Sequence, residues 1–291
     1  MLVVVAPSSF RRPLVEALGA AGLRAVFHRR PEPDGGADPY RLESLVRRWP
    51  GRAEGLLLVA PGNRSPRAVV PGLVVGGVPV GLLFAREPRA LSPWLEAVVR
   101  RGRAKEGTRA VLAAWEDHYL RLGQRFARCL RAAHAGRATT WFADRLNRQA
   151  MLERLAGGPV LATYFGHGHS EGLGGYHGVY REHVEAHRSW LPCGVFAAWA
   201  CNTLVRGRAG GSFGRFLVGS GRAVGFLGAT AAVLTPDNAA LAELAGECLE
   251  RMWPTSLGRW VCAIDATLEP GSPAWRAWRT YRFLGNPLQP L

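Results

Sequence analysis

Lysine is almost missing from this chain. Lys105 is the only one, so nearly all of the basic excess behind a formal net charge of +15 is arginine. An excess of that size points first to nucleic acid or an anionic membrane as partner. Wholesale arginine beside abundant Ala, Gly, Leu and Val is instead what a GC-rich genome produces, and it reads as a dispersed, solvated surface. The one basic cluster, Arg100-Arg101-Gly102-Arg103-Ala104-Lys105, has no aromatic interleaving and no reading motif, so nucleic acid is not expected as a partner.

Cysteine is scarce and unpaired in pattern. The five residues, at 129, 193, 201, 248 and 262, are odd in number and lack CxxC spacing, which argues against a disulfide framework. A reducing, cytoplasmic setting fits. The first residues, Met1-Leu2-Val3-Val4-Val5, lack a basic n-region and meet a proline at position 7; they read as a first strand rather than a signal peptide, so no export is expected. The longest uncharged run, Ala68 to Ala85, holds Pro71, Pro79 and four glycines. Those would leave backbone groups unsatisfied in lipid, so the run reads as a loop plus a buried strand, with no membrane partner. No internal repeat is visible.

What is present is ample apolar material: 291 residues at 48% hydrophobic content can furnish one large α/β domain or two small ones. Residues 1–105 alternate strand and helix signals, with strands at Leu2 to Ala6, Leu23 to Phe27, Gly55 to Ala60 and Val78 to Phe84. Helices are expected at Phe10 to Ala21, around Tyr40 to Trp49 and at Ser92 to Arg103. That alternation means a doubly wound parallel sheet, read as an N-terminal subdomain. From Thr108 to Ala133 apolar residues recur every three or four positions, predicting one long amphipathic helix within a bridge over 106–138. Residues 139–291 form the remaining domain. A helix is expected from Asp144 to Leu155, then a strand, a polar loop from Ser170 to Trp190 and a second strand. After these come helices at Ser212 to Gly219, Asn238 to Met252 and Leu257 to Thr267, with strands at Ala223 to Leu227 and Tyr281 to Leu284.

Two strand-like segments in this domain run straight into reactive side chains. Pro159 to Phe165 ends in Gly166-His167-Gly168-His169, and Gly194 to Ala198 ends in Trp199-Ala200-Cys201-Asn202-Thr203. In open α/β sheets chemistry gathers at the carboxyl ends of strands, so His167 and Cys201 meet if these strands are neighbours. A thiol at neutral pH is a weak nucleophile until an imidazole or another positive field favours the thiolate, and His167 is placed to supply it. Taken singly, Cys201 reads as an ordinary buried cysteine and His167 as a strand-end histidine.

Rival chemistries use the same region. A metallo-hydrolase would follow His167-x-His169 with an Asp-His pair, where Ser170-Glu171-Gly172 stands, so no metal is expected. Gly210-Gly211-Ser212-Phe213-Gly214 fits a nucleophile elbow, but no histidine follows His187. Gly219-Ser220-Gly221 lies after a helix and before a strand, the reverse of a dinucleotide loop, so no cofactor is expected.

Several spaced motifs agree in order. A strand leads into Gly-His-Gly and, about thirty residues on, another leads into Ala-Cys-Asn-Thr. Then come Ser212-Phe213-Gly214-Arg215-Phe216-Leu217 and Gly221-Arg222-Ala223-Val224-Gly225. Leu257-Gly258 opens a helix, and Tyr281-Arg282-Phe283-Leu284-Gly285-Asn286-Pro287 closes the series. Over roughly residues 139–291 this pattern resembles the caspase-like cysteine peptidases, especially their CHAT and gingipain branches of bacterial type. The closing segment departs from the family's Leu-Gly-Asp-Pro in carrying Asn286.

The resemblance implies a caspase-like three-layer α/β/α sandwich with a mostly parallel sheet, here preceded by the smaller doubly wound subdomain. It implies a cysteine endopeptidase acting on a protein or peptide substrate: Cys201 attacks the peptide carbonyl and His167 protonates the leaving amine. The backbone N–H groups of Gly168 and Cys201 form the oxyanion hole. Relatives that cut after Arg or Lys often carry Asp two residues before the cysteine; here that position is Trp199. His169, Trp199 and Asp237 are therefore candidates for the substrate pocket, with Asp144 and Glu171 as further acidic candidates. The alternative is a catalytically silent module of the same fold that binds a regulatory protein partner, since Asn286 and Trp199 depart from the pattern.

Overall fold

The computed structural model describes residues 1–29, 39–47, 53–60, 62, 64–103, 107–114, 116–133, 138–142, 147–175, 177–207, 211–252 and 254–291. The loop expected over 31–38, and Lys105, Trp115, Asp144 and Trp253, lie outside these residues.

In chain order the strands are β1 (Leu2–Ala6), β2 (Ala25–Arg29), β3 (Gly55–Ala60), β4 (Val74–Val75), β5 (Val78–Phe84), β6 (Arg109–Ala113) and β7 (Ala138–Phe142). They continue with β8 (Leu161–Phe165), β9 (Gly168–His169), β10 (Gly172–Leu173), β11 (Val179–Tyr180), β12 (Cys193–Trp199), β13 (Ala223–Ala229) and β14 (Tyr281–Gly285). The helices are α1 (Arg11–Ala20), α2 (Pro39–Arg47), α3 (Pro66–Val69), α4 (Ser92–Arg103), α5 (Asp117–Ala133) and α6 (Arg148–Ala156). They continue with α7 (Arg181–Ala186), α8 (Phe213–Gly219), α9 (Thr235–Met252), α10 (Leu257–Thr267) and α11 (Pro273–Trp278).

Short runs such as Leu-Val-Val-Val-Ala, Gly-Leu-Leu-Leu-Val-Ala and Cys-Gly-Val-Phe-Ala-Ala-Trp are buried along their whole length, as strands covered by helices on both faces must be. They build an 11-stranded sheet in the order β2-β1-β3-β5-β14-β13-β12-β8-β6-β7, with β4 pairing β5 off this path. The sheet is two parallel blocks of opposite direction. β2, β1, β3, β5 and β14 run one way, β13, β12, β8, β6 and β7 the other, and the antiparallel pair β14 and β13 is the seam. The last strand of the chain thus inserts between the first half and the second.

Alternation along the strands sends side chains into two cores. Tyr164, Phe196, Ala198 and Phe226 join one with residues of α1, α4, α6 and α8; Phe165, Ala197, Trp199 and Leu227 join the other with residues of α5, α9, α10 and α11. The result is the three-layer, mostly parallel α/β architecture expected.

The bridge differs most from its expectation. The helix read from Thr108 to Ala133 is a strand followed by a helix. Arg109 to Ala113 are all buried and pair in register with β8, Val111 against Thr163. A segment with no polar side of its own satisfies its backbone better inside a sheet. The helix starts only at Asp117, an acidic residue suited to a helix N-terminus.

Candidate active site

Strands β8 and β12 are adjacent and parallel, with Phe165 opposite Trp199. His167 and Cys201 each lie two residues beyond that last pair, so both stand at the same carboxyl edge. The two turns touch. A Cβ on Gly168 would lie 2.7 Å from the Cys201 carbonyl oxygen, 2.8 Å from Ala200 Cβ and 2.9 Å from Thr203 Cγ2. Only a residue without a side chain lets the histidine turn come this close to the cysteine turn.

The cysteine turn is sharply bent. Asn202 has φ 58°, in the left-handed region that Asn tolerates better than most residues, and its N–H donates to the Ala231 carbonyl at 3.1 Å. Thr203 is fully buried and its hydroxyl accepts from Ala229 N–H at 3.3 Å, tying the turn to the end of β13. Next in sequence, Ser212 caps α8 by accepting from Arg215 N–H at 3.4 Å.

Cys201 is partly exposed, and its sulfur lies 3.3 Å from both the N–H and the carbonyl oxygen of Val233. The His167 imidazole is well exposed and is held from one segment: Nε2 lies 3.2 Å from Glu116 Oε1 and Nδ1 lies 3.4 Å from the Tyr119 hydroxyl. Glu116 and Tyr119 flank the start of α5, where Tyr119 N–H donates to the Glu116 carbonyl at 2.9 Å. Neither was visible as a site residue in the sequence, because the strand-turn-helix around them read as one helix. The available signal was the wholly apolar run Ala110 to Ala114 ahead of Glu116 and Asp117.

The other thiols are unsuited to chemistry. Burial pushes Cys193 up to about 12 and Cys129 and Cys262 up to about 11, and raises Cys248 as well. Cys262 borders a cleft of about 450 Å³ lined by Glu54, Gly77, Pro79 and Arg259, which holds none of the candidate residues.

The pocket candidates separate. His169 is half-buried; its Nδ1 accepts from Glu171 N–H at 3.4 Å and its ring is tilted 5.0 Å from that of Tyr180. Trp199 does not wall a pocket. It is 1% exposed, stacked on Phe165 at 6.5 Å and packed on Trp260 and Tyr281, because its parity on β12 turns it into the core beneath the edge. Asp237 is 6% exposed and both its oxygens are already taken by the Arg276 guanidinium, at 2.9 and 2.8 Å. Glu171 is exposed beside His169.

Asn286, the departure from the closing motif, is buried and accepts from Leu288 N–H through Oδ1 at 3.0 Å. An aspartate could make the same bond, so this turn serves architecture. Gly258 belongs to the same join: its N–H donates to the Pro287 carbonyl at 2.7 Å, and a Cβ there would meet that oxygen at the same distance.

Among the described residues no group of three or more His, Cys, Asp or Glu side chains could hold a metal ion, and no helix is long and apolar enough to cross a membrane.

Residues 108–291 match the family model described as peptidase family C25. The chain belongs to peptidase family C25. It is accordingly a cysteine-type peptidase. Solved structures similar to this C25 chain include the complex of Porphyromonas gingivalis RgpB pro- and mature domains. That structure is 15% identical, with a TM-score of 0.76 over 99% of this chain and 79% of the other. The Arg-specific cysteine proteinase gingipain R is similar at 13% identity and a TM-score of 0.73, over 100% of this chain and 78% of the other. The Saccharomyces cerevisiae separase–securin complex shares 13% identity and a TM-score of 0.55 over 81% of this chain, which spans only 15% of that one. At such identities the likeness is one of fold. No curated protein matches the sequence.

Proposed function

We propose that this C25 peptidase cleaves peptide bonds within protein substrates through a dyad of Cys201 and His167. The observation that carries the reading is the register of β8 against β12, which brings both side chains to one sheet edge with Gly168 against the Cys201 carbonyl.

In the mechanism proposed, His167 Nδ1 takes the thiol proton and the Cys201 sulfur forms a bond to the substrate carbonyl carbon. The oxyanion is held by the N–H groups of Gly168 and Cys201. The imidazolium returns its proton to the leaving amine as the C–N bond breaks. Water, deprotonated by the freed imidazole, then hydrolyses the thioester and restores the thiol. Glu116 beside Nε2 stabilises the imidazolium formed at each stage. His169, two residues beyond His167 and half-buried, is kept as the pocket candidate.

The motif order also supports a wider kinship with CHAT-type peptidases of bacteria. All five thiols are free, in keeping with a reducing, cytoplasmic setting. The RgpB pro-domain and securin accompany the structural relatives, which supports a regulatory protein partner here too.

The test is proteolysis of an unfolded protein substrate. Cys201→Ala should remove activity, and His167→Ala should lower it roughly a hundred- to ten-thousandfold. Ala or Ser at Cys129, Cys193, Cys248 or Cys262 should leave it within a few-fold. Equal loss at any of those four would mean that another thiol is the nucleophile.

A further inference from the structure

His167 is engaged at both nitrogens, and that has a consequence for the resting enzyme. Glu116 Oε1, an acceptor, lies 3.2 Å from Nε2, so the neutral ring carries its proton there and Nδ1 is the bare nitrogen. Tyr119 is the group facing Nδ1, at 3.4 Å, with its ring edge-on to the imidazole at 5.3 Å. A bare nitrogen accepts, so the phenol donates. On the other side, Cys201 sulfur is bonded to the Val233 backbone at 3.3 Å. The nitrogen that must take the thiol proton and the thiol that must give it are thus each held by another partner.

We propose that Tyr119 is a positioning residue whose hydroxyl caps His167 Nδ1 in the resting enzyme and competes with Cys201 for it. Proton transfer then requires the O–H···Nδ1 bond to open: the S–H bond of Cys201 breaks, an N–H bond forms at Nδ1, and the tyrosine keeps its own proton. The proposal rests on the dyad reading above.

The surroundings suit that role. Tyr119 is 7% exposed at the first turn of α5, so its ring is fixed by packing. Burial first, then the charges of Cys201 and Glu116, push its hydroxyl up to about 12, which keeps it a neutral donor wherever the enzyme works. Among the described residues the titratable groups facing this cluster are Glu116 ahead of α5, His118 with its ring 3.9 Å from that of Tyr119, Cys201, Tyr164, whose hydroxyl donates to the His167 carbonyl at 3.1 Å, and Tyr281 on β14. Tyr281 feels the Cys201 charge too, but its hydroxyl is committed to Asn238 Oδ1 at 2.6 Å. Tyr119 alone among these tyrosines reaches the imidazole.

Tyr119→Phe keeps the buried ring and removes only the cap. The rate of Cys201 alkylation by iodoacetamide should be followed from pH 5 to 8 in the intact chain, in Tyr119→Phe, in His167→Ala and in the double variant. Loss of one neutral hydrogen bond should move the acid limb of the Phe variant to lower pH by roughly half to one unit, or about three- to tenfold in rate near pH 6. The double variant should lose that gain. A purely structural tyrosine would leave the profile in place, so a superimposed limb, or one displaced to higher pH, overturns the cap. An intact chain whose profile already matches His167→Ala overturns the dyad and the cap with it. Nitrogen-15 histidine NMR is the second measurement: a resting His167 without the proton on Nε2 contradicts the proposal whatever the variants do.

Discussion

Glu116 is the residue on which the electrostatics of the site turn. Its carboxylate faces the imidazole at 3.2 Å, and because that ring is 66% exposed the pair is screened and worth roughly 0.2–1 kcal/mol. Glu116→Gln keeps the shape and removes the charge. The expected outcome is a fall in kcat/KM of about two- to fivefold, with folding unaffected, measured on a peptide substrate. An unchanged kcat/KM would mean that the carboxylate is a bystander. At this scale the sequence was legible in short motifs: His167, Gly168 and Cys201 were expected at the ends of neighbouring strands, and their turns do meet at one sheet edge. It was silent on Glu116 and Tyr119, which reach the site only because α5 starts beside the end of β8. It did not show that Trp199 turns into the core or that Asp237 pairs with Arg276, because neither side-chain direction nor a distant partner is written in local spacing.

The working element is the strand with its turn, and two of these lie side by side. Gly168→Ala tests their contact. The added methyl would meet three atoms of the cysteine turn at under 3.0 Å, two of them side-chain carbons and one a backbone oxygen. We expect kcat/KM to drop at least about a hundredfold, as misplacement near the chemistry does. Full activity in the alanine variant would show that the turns are not closely coupled. Most elements were legible as buried apolar runs between glycines and turns, β1, β3, β5, β8, β12 and β13 among them. The exceptions have physical reasons. β6 is short, and Ala, Val and Leu suit either period until pairing with β8 decides. β7 sits at the sheet edge and shows no period of its own. The expected polar loop from Ser170 to Trp190 hides β10, β11 and the helix α7, which with β9 just ahead of it involve only two to six residues each.

Across the whole molecule, β14 joins the two opposed blocks by pairing with β13 and with β5, and its pair with β5, Leu284 against Leu82, links residues some two hundred positions apart that no local pattern encodes. Burial on this scale also sets the behaviour of the thiols. Unfolded cysteines ionise near pH 8.5, whereas burial holds Cys129 and Cys262 protonated to about 11 and Cys193 to about 12. Their contribution to stability is complete below about pH 8 and is lost as pH rises through those folded values, so the melting temperature should fall by several degrees between about pH 8 and 10.5. A flat profile would contradict their burial. Cys201, by contrast, is partly exposed at the sheet edge. The most direct test of the dyad is therefore labelling of the intact chain with a thiol-reactive peptide electrophile, followed by mapping of the modified residue. The account expects a single adduct, on Cys201, formed much faster than in His167→Ala; an adduct on any other cysteine, or a Cys201 rate indifferent to His167 from pH 5 to 8, would contradict it.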